Sequence, residues 1–399
     1  MQPVSKLIEV QGPIGTLGDG YAMHNRAFIK MLYNAGYNVK AISMEPGVKG
    51  APMSEDPTIL RILNDAKNKG SGDIIFNFSI PPLYRVEPNK VNLAFSSWET
   101  NMVPAIWVNK INTLTALFVP SVAVKQVFAT SGVTVPIYVL PFPLLTENYN
   151  TNSQGISVMP SIERQYTFMY TGTYTPRKNY EDLIAAFCDT FDGIQDVALV
   201  IKTIAPNNDV ATRMQIQGAI SALANKMNGC HKRPKIIVST DQLEDQDMLS
   251  MLRGVDAYVT TSRGEGLDLS LVQAMSLGKL VICDNYLGHS DYVTADNAIV
   301  FKHTYRPVID SGNPYHNSKH KWTSPDYISL CQSLINAYQI LRADRGFKIG
   351  TNAKNTVVQK YSEVMVAEQF NKDLLKIVGP DEPKTRASTW PKIPQMFTK

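Results

Sequence analysis

Cysteine is scarce. Four residues in 399 (Cys188, Cys230, Cys283 and Cys331) stand far apart and form no Cys-x-x-Cys pair, which argues against a disulfide framework or a thiolate metal site. They read as buried or incidental thiols of a reducing compartment. Long apolar runs are missing as well: no stretch reaches the ~18 residues needed to cross a bilayer. The opening MQPVSKLIEVQG lacks the basic start and apolar centre of a secretory leader. The expectation is a cytoplasmic protein, at most peripheral to a membrane. Charge is nearly balanced, with Lys+Arg 39 against Asp+Glu 35 and a net +4. The isoelectric point near 8.6 suits an anionic substrate and permits nucleic-acid or anionic-lipid contact without requiring either. No solenoid-type repeat is present.

What is there is globular: 44% of residues are hydrophobic, and the length favours two domains over one. Short apolar runs alternate with longer helical patterns, the mark of parallel α/β units. LIEV (7–10), NVKAIS (38–43), DIIFNF (73–78), VNLAFS (91–96), TALFV (115–119) and PIYVL (136–140) are predicted strands of a first half. Residues 20–36 and 120–132 are predicted helices closing at glycines suited to a left-handed cap. An Asn/Ser/Pro-rich stretch breaks the rhythm, and the alternation restarts with YTFMYTG (166–172), DVALVIKT (196–203), PKIIVS (234–239), DAYVT (256–260) and KLVICD (279–284). From 325 the pattern is helical. The expected fold class is α/β with two Rossmann-like doubly wound domains: 1–145, a linker 146–165, 166–360, and a C-terminal helix and tail over 361–399 that cross back to the first domain.

Ligands of doubly wound sheets sit outside the carboxyl ends of the strands, where glycine turns feed helix N-termini. Three such turns occur. GPIGTLGDGYAMH (12–24) lets backbone N–H groups approach an anion or sugar. It is not a GxGxxG, so no nicotinamide site is implied; the bland reading is a flexible loop. YTGTYTPRKN (170–179) sets Arg177 and Lys178 beside a helix start. Such fixed positive charge stabilises a departing diphosphate; the bland reading is a solvated basic turn. TSRGEGLDLSLVQAM (261–275) places one acid, Glu265, between Gly264 and Gly266 at the end of a strand. A carboxylate there can meet sugar hydroxyls, and the N–H groups of Gly266 and Leu267 can point at phosphate. Otherwise Glu265 is a helix-dipole partner worth a fraction of a kcal/mol.

Taken in this order, the turns resemble those of the retaining GT-B glycosyltransferases of the glycogen-synthase-like superfamily, the family 4 class. The second half is similar in YTGTYTPRKN, DAYV (256–259), EGLDLSLVQAM (265–275) and GKLVI (278–282). The first half is similar in its glycine loop, FSSWETNMVP (95–104), FVPSVAVKQVF (118–128) and VLPFPL (139–144). The resemblance spans roughly residues 5–375. It implies a GT-B fold and transfer of a sugar from a UDP- or GDP-sugar to an acceptor with retained anomeric configuration. It implies no further cofactor and no metal: no Asp-x-Asp pair lies at these turns, and Lys178 with Arg177 would hold the diphosphate.

By the same resemblance Glu265 contacts the transferred sugar, Gly172, Gly264, Gly266, Leu267 and Gly18 border the donor, and Lys202 adds charge. The family's ribose-binding acid falls on Gln273, an amide that bonds a diol without charge assistance; otherwise Gln273 is a buried polar group with a local partner. On the acceptor side Glu99 would be a second catalytic group or else a favourable helix N-terminal charge, and Trp98 a sugar-stacking face. Asp19, Gly20, Tyr21 and His24 share the same cleft, although a lone His is more often a satisfied surface group. The acceptor is open among a glycan, a lipid-linked sugar, a protein and a modified nucleic-acid base. Competing readings are a DNA-base glycosyltransferase, a sugar-nucleotide epimerase or phosphorylase, and a catalytically silent sugar-nucleotide-binding subunit. The basic-aromatic stretches 303–322 and 384–399 could touch a phosphate-bearing acceptor, but solvated surface or packing across the domains accounts for them more simply.

Overall fold

A computed structural model describes residues 3–44, 54–149, 166–204, 209–226, 232–343 and 346–379. The first lobe is built on β1 (Ile8–Gly12), β2 (Val39–Ser43), β3 (Ile74–Phe78), β4 (Val91–Phe95), β5 (Ala116–Val119) and β6 (Ile137–Val139), all parallel in the order β2-β1-β3-β4-β5-β6. The second contains β7 (Tyr166–Thr173), β8 (Val197–Ile204), β9 (Lys235–Ser239), β10 (Ala257–Val259), β11 (Leu280–Cys283) and β12 (Ile299–Val300), in the order β12-β11-β10-β7-β8-β9. The central strands read as continuous apolar runs because helices cover both faces of each sheet; β1, β3 and β5 are buried along their whole length.

The strand orders fix where ligands go. In the second lobe the sequence order reverses between β7 and β10, which pair side by side, so the loops leaving these two strands flank the switch-point crevice. They are the loops that carry Arg177–Lys178 and Glu265. In the first lobe the reversal lies between β1 and β3, below the glycine loop. That loop ends in Asp19, whose side chain caps the helix Gly20–Asn34 by accepting from the Ala22 amide at 2.8 Å.

One core fills the second lobe and reaches Ala27 and Phe142 of the first, and two line the faces of the first sheet. The helix Glu363–Val378 packs Val366, Ala367, Phe370 and Leu374 into the first lobe's core against Phe28 and Phe76. The helices Tyr327–Arg342 and Gly346–Tyr361 pack on the second lobe. The chain passes between lobes at two adjacent places: the Leu144 amide donates to Tyr361 O at 2.7 Å and the Glu363 amide to Leu144 O at 2.9 Å. Most of the expected linker (150–165) and the tail 380–399 lie outside the described residues.

The sequence reading did not give β12 or the short helix Thr146–Tyr149, and two further elements also depart from it. The helix Pro57–Asp65, capped by Asp56, was not expected. The segment 303–322 is not a plain loop: His303–Pro307 pairs antiparallel with Lys321–Pro325. His316 and His320 turn inward against Trp98 of the first lobe, at ring separations of 5.2 and 5.8 Å. Packing across the lobes, not a solvated basic surface, is the role of these two histidines.

Candidate active site

A cleft of about 380 Å³ lies between the lobes. The second lobe contributes Thr171, Gly172, Arg177, Lys178, Lys202 and the run Glu265–Ser270; the first contributes Gly18–Tyr21, Met23, His24, Ser97, Glu99 and Pro120. The cation turn and the acid loop meet on its wall. Glu265 Oε1 accepts from Lys178 Nζ at 2.6 Å and from Ser262 Oγ at 2.5 Å, and it lies 2.8 Å from an Arg177 guanidinium nitrogen. Burial by itself would raise the carboxyl's pKa, but the two cations and these hydrogen bonds outweigh it and hold the group well below the usual carboxylate range. Glu265 is therefore an anion at any physiological pH.

The turn itself is braced. Arg177 donates to Gly264 O at 2.8 Å, Tyr170 OH to Lys178 O at 2.6 Å, and Tyr180 OH to Gly172 O at 2.5 Å. Asn179 occupies the left-handed region at φ 51° and is tied to Thr261 by two hydrogen bonds. Arg263 donates to Pro176 O, Asn179 Oδ1 and Ser324 Oγ. A β-carbon at Gly172 would stand 2.8 Å from Lys178 Cδ, so glycine there leaves the lysine its path into the cleft.

The glycines beside Glu265 answer a different need from the one expected. They make room for protein: a β-carbon on Gly264 would collide with the backbone carbonyl of Glu99, and one on Gly266 with Ser97 Oγ. Both partners belong to the first lobe. Gly18 (φ 75°) similarly lies against Ile204 of the second.

Several expected residues are placed otherwise. Trp98 does not line the cleft; it is 2% exposed, donates its indole N–H to Thr100 Oγ1 and Met102 O, and packs edge-on against Trp107. A sugar-stacking role is thereby corrected to a structural one. Gln273 lies off the cleft in an adjoining cavity with Arg26 and Asp245; its amide nitrogen faces Met23 Sδ at 3.7 Å, and its Oε1 has no hydrogen-bond partner among the described residues. Lys202 does line the cleft, yet its ammonium donates to the carbonyls of Thr203 and Asp241, and burial lowers its pKa to about 8. His24 is no surface group: it packs among Phe78, Phe95 and Phe142, and burial brings its pKa down to about 3, so the ring is neutral. Tyr21 OH accepts from the Ser97 amide at 2.9 Å. Glu99 lines the cleft and is not at a helix start, since the next helix begins at Ala105.

Sequence reasoning missed Asp268 and His289. Asp268 lines the cleft, and behind it His289 Nδ1 lies 2.9 Å from Asp284 Oδ1. No spacing signal marks this pair; Asp268 stands inside the acid-loop motif, but its partner is twenty-one residues on, beyond a strand. In the adjoining cavity Arg26 of the first lobe makes a bidentate ion pair with Asp245 of the second, at 2.7 and 2.9 Å. Among the described residues there is no cluster of three or more metal-ligating side chains and no helix long and apolar enough to cross a membrane.

Residues 157–307 match the family of glycosyl transferases group 1. The whole chain has the GT-B fold. Trehalose-6-phosphate synthase OtsA superposes with a TM-score of 0.65 at 13% identity, over 94% of this chain and 100% of that one. Anabaena HepE, solved with UDP and glucose, gives 0.61 at 14%, over 93% and 100%. Staphylococcus aureus TarM, solved with Fondaparinux, alpha-GlcNAc-glycerol and UDP, gives 0.53 at 12% over 75% of this chain. The chain spans only 54% of the length of that TarM structure. No curated protein matches the chain in sequence. The residues that match this family contain the cation turn and the acid loop, and the first lobe lies across the cleft from them.

Proposed function

We propose that this chain transfers a sugar from a nucleoside-diphosphate sugar, UDP- or GDP-linked, to an acceptor hydroxyl with retained anomeric configuration and without a metal ion. The observation that carries the reading is the joint grip of Arg177 and Lys178 on Glu265 at the crevice between two doubly wound lobes. Two partly buried cations after the end of β7 are suited to the charge that grows on a departing diphosphate. The acid they hold lies where the attached sugar would be placed, and it orients hydroxyls rather than taking a proton. Departure through an oxocarbenium-like state with attack on the same face needs no dedicated protein base. UDP in the HepE and TarM structures is in keeping with such a donor.

The test is a panel of UDP-, GDP- and ADP-sugars screened by thermal shift, followed by mass spectrometry of candidate acceptors and NMR of the new anomeric centre. A retained anomer on a hydroxyl acceptor is expected. Epimerised donor with no transfer, an inverted product, or loss of transfer on adding EDTA would overturn the proposal in its respective part.

A further inference from the structure

The hairpin of His303–Pro307 and Lys321–Pro325 touches both walls of the cleft. At its base the Thr323 amide and hydroxyl donate to Arg263 O at 2.8 and 3.0 Å, and the Arg263 guanidinium donates to Ser324 Oγ. These bonds tie the hairpin to the loop that presents Glu265. Its far end reaches the first lobe. The Asn101 amide donates to Lys321 O at 3.2 Å, and the Lys321 amide to Asn101 Oδ1 at 2.5 Å. Tyr315 lies edge-on to Trp107 at 5.2 Å, and His316 and His320 both meet Trp98. Trp98 stands between Ser97 and Glu99, which line the cleft. One arm therefore runs from the acid loop to the opposite wall.

The arm is seated with a neutral imidazole. His320 is 1% exposed, and its Nδ1 accepts from the Asn317 amide at 3.2 Å. A ring nitrogen that accepts carries no proton, so a proton added there would set N–H against N–H. It would also put charge beside His316, whose ring centre is 6.0 Å away and whose Nδ1 faces Asp310 Oδ2 at 3.2 Å. Lys319 and Lys321 flank His320 in the chain. From the first lobe the ring meets Trp98, which is uncharged, while the neighbouring Glu99 lines the cleft. Burial, and after it His316, hold the His320 pKa below its ordinary 6.5. We propose that this arm is a proton-operated clasp between the cleft walls: protonation of His320 unseats the tip from Trp98, and deprotonation locks it back. An open arm takes its proton at the ordinary value, so the closed form is fully favoured above about pH 6.5 and weakens as the pH falls below it. The clasp needs no donor and stands apart from the transferase reading.

Hydrogen exchange with mass spectrometry on the full chain, corrected for intrinsic rates, reads the clasp as protection of segments 96–103 and 308–322 at about pH 7.5 and about pH 5.5. At the lower pH a histidine in the open arm is about nine-tenths protonated, so opening rises by at most about tenfold. A loss of protection of about three- to tenfold is expected in both segments, with the strand Ile74–Phe78 unchanged. His320→Gln keeps an acceptor without a titration, and its protection should agree at the two pH values within about twofold. Equal protection at both pH values in the unsubstituted protein, or the same fall in His320→Gln, overturns the clasp. A matching fall in Ile74–Phe78 is global acid unfolding and overturns it too. Should glutamine itself unseat the tip, leaving both segments open at the higher pH, His316→Gln decides. With the neighbouring charge removed the fall should shrink, and an undiminished fall overturns the proposal.

Discussion

The backbone carbonyl of Glu99, in the first lobe, occupies the space that a β-carbon on Gly264, in the second, would need. The contact joins the first lobe to the loop that presents Glu265. Gly264→Ala should therefore lower stability by about 1–3 kcal/mol, because a backbone carbonyl cannot rotate away. Gly266→Ala meets the Ser97 hydroxyl, which can turn, and should cost less. Thermal unfolding of the two variants checks the ranking; equal midpoints would contradict it.

Lys178 and Arg177 share one carboxylate, so removing the lysine leaves Glu265 held by Arg177. Lys178→Ala is expected to lower kcat by about 10²–10³ while the acceptor KM moves less than about twofold. Steady-state kinetics with saturating donor measure both. A matching rise in acceptor KM would remove Lys178 from the leaving-group role.

His289 sets a pH dependence of stability. Burial would depress its pKa, but hydrogen bonds and charge from Asp268 and Asp284 outweigh that and raise it from 6.5 to about 10. A folded pKa above the unfolded one means the stabilisation is whole below about pH 6.5 and is lost as the pH climbs through about 10. Asp284 also faces His303 at 3.5 Å, and Tyr292 lies edge-on to the His289 ring, so the comparison is made against His289→Gln. Urea unfolding between pH 6 and 10 should show a downward slope in the unsubstituted protein that the variant largely lacks.

The architecture was legible because periodicity reports burial. All eleven strands read from the sequence fall on β1–β11 within one or two residues, since each is an apolar run bounded by turn residues. The hairpin His303–Pro307 with Lys321–Pro325 escaped for the converse reason: four of the five residues of its first strand are exposed and carry no pattern. In the site, Arg177, Lys178 and Glu265 were legible because charge beside a glycine turn is local information. Trp98 was misplaced because an indole serves a core or a sugar equally well in sequence, and only its partners Thr100, Trp107 and His316 settle which. Asp268 and His289 depend on a backbone angle and a distant partner, neither of which spacing records.

Leu144 lies hydrogen-bonded to both Tyr361 and Glu363 where the chain leaves one lobe for the other and returns. Two strands of covalent chain pinned side by side behave as a door's hinge rather than a ball joint. Swinging apart about that line spares the pin but must part Arg26 from Asp245 and Trp98 from His316, whereas shearing or twisting one half against the other would tear the pin as well. An opening about that line would be widest at the rim farthest from Leu144.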